Sequence, residues 1–68
     1  MNVPDLILQT GRTDAEIAVR VGAISHTVWR WRTGRGVPIP AFRDRLCRLA
    51  GVAVKDVIWT KQRINSPL

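Results

Sequence analysis

Apolar residues recur along this chain in short stretches at helical spacing, each bracketed by residues that start or stop a helix. Leu6, Ile7 and Thr10 share one face, Pro4 suits a first helical turn, Asp5 complements the positive end of the dipole and Gly11 can end the segment. A first helix is expected over about residues 4–10. Thr13-Asp14-Ala15-Glu16 has the form of a capping box, in which threonine and glutamate satisfy each other's backbone amides. It predicts a second helix over 14–21, with Ile17, Ala18 and Val21 as a narrow apolar stripe and Gly22 as its stop. Ser25 is the expected cap of a third helix, which runs to about Thr33 and puts Val28 and Trp31 on one face. Two glycines and two prolines in residues 34–40 make a loop, and Pro40 then opens a fourth helix carrying Phe42, Leu46, Leu49 and Ala50 inward, ended by Gly51. A short last helix is expected over Val54 to Trp59.

No stretch shows the two-residue period of a half-buried strand, so the expected fold class is all-α: a compact four- or five-helix bundle. Residues 1–59 form one domain on this reading, and the polar segment 60–68 is a flexible tail. The chain has 68 residues, too few for a second domain or a deep cleft. One cysteine, Cys47, and one histidine, His26, exclude an intrachain disulfide and the ligand spacing of structural zinc. With no paired-carboxylate pocket and no glycine-rich phosphate loop, an enzyme is not expected, and neither is a cofactor or small-molecule ligand. No run of 18 apolar residues and no basic or apolar leader occurs, so no membrane association is expected and the location should be the cytoplasm.

Charge changes the picture more than composition does. The net charge is +6, and nine of the eleven basic residues are arginine. Seven of these (20, 30, 32, 35, 43, 45 and 48) fall between Arg20 and Arg48 against the single acid Asp44, so that stretch holds the whole excess. Focused positive charge is the footprint of a polyanion site, because each contacted phosphate releases condensed counterions.

The second and third helices are separated by only a three-residue turn opening on Gly22, and each shows one apolar stripe, the helix-turn-helix arrangement. Ala18 must be small where the helices cross, and Gly22 can take the positive φ of a sharp turn. Ile17, Ala18, Val21, Gly22, Ala23, Val28 and Trp31, followed by Gly34 and Pro38, resemble the pattern of the small helix-turn-helix regulators of the phage repressor and Cro type. The resemblance covers residues 13–58 by helix order and is sharp over 13–38. It implies a helix-turn-helix at residues 14–33 and a homodimer reading double-stranded DNA, each third helix in a major groove. Two positions depart from the family pattern. Asp14 stands where many relatives carry a phosphate-binding glutamine, and is assigned to helix capping; Ile24 stands where a serine is usual, with Ser25 one residue later.

With Val28 and Trp31 inward, Ser25, His26, Trp29 and Arg30 are the expected base-readers. Arg30 suits a bidentate contact to guanine, with a phosphate contact or a solvated charge as the alternative. Trp29 is assigned to a thymine methyl or sugar, with packing on the Pro38–Pro40 loop or a subunit contact as the alternative. Arg20, Thr27, Arg32, Thr33, Arg35 and Arg43 are the expected phosphate contacts, whereas for Arg45 and Arg48 solvent or a partner subunit stands as the alternative to phosphate. Val57, Ile58 and Trp59 either close the core or form a dimer contact. The function expected is transcriptional regulation, most simply repression, from an inverted-repeat operator. Two rivals are a protein-binding adaptor or antitoxin-like module anchored by the tryptophans, and a non-specific architectural DNA binder.

Overall fold

The computed structural model describes residues 1–61 and is all-helical in its regular structure. Four helices, α1 (Val3–Gln9), α2 (Asp14–Val21), α3 (Ser25–Arg32) and α4 (Pro40–Ala50), are followed by a 3₁₀ turn at Val54–Asp56. None of these helices is long and apolar enough to cross a membrane. The expected last helix is thus shorter than the sequence suggested, since Val57 is already extended. Most of the tail assigned to residues 60–68 lies outside the described residues.

Local signals set the helix starts. In α1 the Oδ1 of Asn2 accepts from the Asp5 amide at 2.8 Å, so the helix begins one residue before Pro4 with a side-chain cap the sequence reading overlooked. The capping box of α2 forms as expected, Thr13 Oγ1 accepting from the Glu16 amide and Glu16 Oε1 from the Thr13 amide. The expected cap of α3 is corrected. Ile24 takes the cap position with no side-chain hydrogen bond, and Ser25 is the first helical residue. The Ile24 carbonyl instead accepts from the amides of Thr27 and Val28 at 3.0 and 3.2 Å. Ala23 is half-buried, which fixes the register of the turn and turns Ile24 outward.

One core joins all four helices. Val3, Leu6 and Ile7 from α1, Ile17, Ala18 and Val21 from α2, Val28 and Trp31 from α3, and Leu46, Cys47 and Ala50 from α4 are buried, and Val57 closes the base. Each fully buried aliphatic side chain contributes about 1.5–3 kcal/mol. The ring of Trp31 lies 5.8 Å from that of Phe42, tying α3 to α4. A parallel bridge between Asn2 and Ile58, with the Ile58 amide donating to the Met1 carbonyl at 2.8 Å, fastens the start of α1 to the segment after the 3₁₀ turn.

Two arginines of the basic stretch are spent on this framework. Arg32 Nε donates to Asp14 Oδ1 at 2.7 Å and its Nη2 to the Arg12 carbonyl at 3.1 Å, so the end of α3 is tied to the start of α2. Asp14, in the first turn of α2, therefore pairs with Arg32, while Thr13 supplies the side-chain cap expected of it. Arg45 Nη1 donates to the Val21 carbonyl at 3.2 Å, giving a partner to an orphan carbonyl at the end of α2. Arg45 is exposed and at the same time holds the end of α2.

Candidate nucleic-acid interface

The α2–α3 pair is set by its turn. Gly22 adopts φ 87°, and the amides of Gly22 and Ala23 both donate to the Ala18 carbonyl at 2.9 Å. This doubled bond ends α2 within one residue and lets α3 begin three residues later. Ala18, 4% exposed, lies beneath it. With Val28 and Trp31 buried, the outer surface of α3 consists of Ser25, His26, Trp29 and Arg30, all exposed, and half-buried Thr27. The sequence thus placed the two tryptophans of α3 correctly, Trp31 at 2% exposure and Trp29 at 39%.

The end of α3 folds back on this surface. Gly34, at φ 79°, donates to the Trp31 carbonyl at 3.2 Å, and the Arg35 amide donates to the Arg30 carbonyl at 2.8 Å. This pair of reversed bonds is the Schellman closure, and it needs a residue that tolerates the left-handed region. It returns Arg35 to the last turn of α3, where its guanidinium carbon lies 5.0 Å from the centre of the Trp29 ring. His26, one turn earlier, stacks on Trp29 with centroids 5.5 Å apart and planes 18° from parallel. Trp29 therefore packs with His26 and Arg35. Arg30 Nη2 donates to the Arg35 carbonyl at 3.4 Å, and Gly36 sits against the Arg30 side chain.

The structure thus brings together His26, Trp29, Arg30 and Arg35. Other expected contacts lie elsewhere or are engaged. The Thr33 hydroxyl donates to the Trp29 and Arg30 carbonyls at 3.0 and 3.3 Å, and Arg32 is held by Asp14. Arg43 Nε donates to the Pro38 carbonyl at 3.0 Å, with its guanidinium carbon 5.0 Å from the Trp59 ring centre. Arg20 is exposed at the end of α2, beside a shallow depression with Ala15, Glu16 and Val19. Of the expected dimer contacts Val57 is in the core, Trp59 is half-buried with its Nε1 donating to the Val54 carbonyl, and Ile58 is exposed. Of the two alternatives, Val57 takes core closure and not the tentative dimer contact.

Among the described residues the carboxylate–guanidinium pairs are Arg32–Asp14 and Arg48–Asp44. Arg30 and Arg35 are exposed without such a partner, so their field is not locally neutralised, whereas Arg20 is exposed beside Glu16 and its charge acts on that carboxylate. Lys61, which the sequence reading did not single out, lines a cleft with Thr27, Arg30, Trp31, Gly36 and Val37. No local signal could have found it, because the cleft brings together residues more than 20 positions apart. Comparison with family models, with curated proteins and with solved structures finds no match to this chain.

Proposed function

We propose that this chain is a sequence-specific, double-stranded DNA-binding transcriptional regulator, built on a helix-turn-helix of the phage repressor and Cro type. Its α3 enters the major groove, and two copies bind an inverted repeat as a homodimer, their third helices about 34 Å apart, one turn of the duplex. Repression follows by occlusion of a promoter, its own included, in the cytoplasm of a bacterial or phage-infected cell. The observation that carries this reading is the outer face of α3. A helix anchored by Val28 and Trp31 leaves Ser25, His26, Trp29 and Arg30 outward, and Arg30 and Arg35 there have no carboxylate partner among the described residues. Charge without neutralisation attracts phosphate, whereas hydroxyl, imidazole and indole groups on the same face suit base edges and methyl groups.

Selection of binding sequences from a randomised duplex pool at near-physiological salt tests this. Enrichment of a two-fold symmetric site is the expected result. Binding without sequence enrichment would replace it with the architectural reading, and absence of binding would replace it with the protein-adaptor reading.

A further inference from the structure

Arg30 is the residue of α3 best suited to guanine by type, yet its surroundings direct it elsewhere. Its backbone carbonyl accepts from the amides of both Arg35 and Gly36, its Nη2 donates to the Arg35 carbonyl, and Gly36 lies where a Cβ would be 3.5 Å from its Cβ and Nε. The guanidinium is thereby drawn toward the loop that follows α3. On that side Arg30 lines a cleft of about 320 Å³ with Thr27, Trp31, Gly36, Val37 and Lys61. Trp31 and Val37 supply apolar wall, Thr27 a hydroxyl, and Arg30 and Lys61 two cations. No carboxylate lines the cleft among the described residues, and neither cation is paired with one there. A Cβ at position 36 would stand in ordinary van der Waals contact with Arg30, so the loop packs directly along that side chain.

We infer that this cleft is a phosphate-binding site, in which Arg30, Lys61 and the Thr27 hydroxyl grip one phosphate group. Its source is the phosphodiester backbone of the DNA, a step that rests on the function proposed above. Two cationic residues and a hydroxyl residue lining one cleft match the several oxygens of a phosphate better than a planar base edge. Arg30 then anchors the helix in register, and base preference falls to Ser25, His26 and Trp29.

The test is a set of nuclear magnetic resonance titrations of the full chain with inorganic phosphate and with a short duplex, alongside salt-dependent duplex affinities of Arg30→Gln and Lys61→Gln. The expected result is a saturable shift of the Thr27, Arg30, Gly36 and Lys61 resonances with phosphate, lost in either variant. Each variant should also weaken selected and random duplexes by the same factor and lower the salt slope by about one. Loss of preference at a single base pair in Arg30→Gln, with random-duplex affinity kept, would overturn the assignment by making Arg30 a base-reader. Absence of any saturable phosphate shift, with an unchanged salt slope in Lys61→Gln, would overturn it as well. If phosphate binds in the cleft while the wild-type chain binds no duplex, the site stands with free phosphate as its ligand and the DNA-binding function falls.

Discussion

The guanidinium of Arg35 and the indole of Trp29 face each other at 5.0 Å, across the end of the helix to which only one of them belongs. The contact exists because the chain reverses at Gly34, and it converts a loop arginine into part of the α3 surface. An exposed cation–π pair of this kind contributes about 0.5–1 kcal/mol, enough to bias where a flexible guanidinium spends its time.

Trp29 should therefore act on duplex binding partly through Arg35. Arg35→Ala is expected to weaken selected and random duplexes alike and to lower the salt slope by about one. A double-mutant cycle with Trp29→Ala should give a coupling of about 0.5–1 kcal/mol, and Trp29→Phe should keep most of it. Strict additivity of the two alanine variants would show that the contact has no part in binding.

Gly34→Ala places a side chain at φ 79°. The expected cost is about 1–2 kcal/mol of folding stability, the penalty of the left-handed region for an L-residue. If the Schellman closure positions Arg35, duplex affinity should drop beyond what unfolding explains, and urea unfolding alongside affinities corrected for the folded fraction would reveal it.

Ala18→Leu tests the crossing of α2 on its neighbours. Ala18 is 4% exposed within the core shared by the four helices, so a larger side chain has to displace packed atoms. Overpacking should cost about 1–3 kcal/mol, read as a lower urea midpoint at unchanged slope. An unaltered midpoint would mean that the helices move apart without penalty.

Glu16 predicts an acid-sensitive helix start. Its carboxyl is held below the ordinary value of 4.5, first by the hydrogen bond from the Thr13 backbone amide, then by that from the Thr13 hydroxyl, with the charges of Arg12 and Arg20 adding to both. A lowered folded-state pKa contributes stability that is present above the unfolded value and lost as pH falls through the folded one. Unfolding followed between pH 6 and pH 3 should show a steeper acid loss in the wild type than in Glu16→Gln. Equal acid limbs would remove the charged capping box from the account.

What was legible in the sequence was local. Thr13 and Glu16 announce α2 within four residues, and the spacing of Val28 and Trp31 decided which indole of α3 is buried. Asn2 carries an equally local cap, overlooked beside the stronger Pro4 signal. The start of α3 was misplaced by one residue because serine is a good cap by type, whereas burial of Ala23 settles the register. Long arginine side chains were harder still. Arg32 meets Asp14 across 18 positions and Arg45 meets Val21 across 24, so composition saw a basic stretch where packing separates framework arginines from those left free on α3.

The helices have 7, 8, 8 and 11 residues, each below the roughly 12–15 at which an isolated helix becomes even marginally stable in water. The α3 surface is consequently not a separable part that could be excised or grafted as a peptide; it exists only while the whole core is assembled. Warming that begins to melt the domain withdraws this surface in proportion, and any polyanion seated on it raises the melting temperature by mass action. The domain is in that sense its own reporter, since occupancy of α3 can be read without a label as heat tolerance of the entire chain.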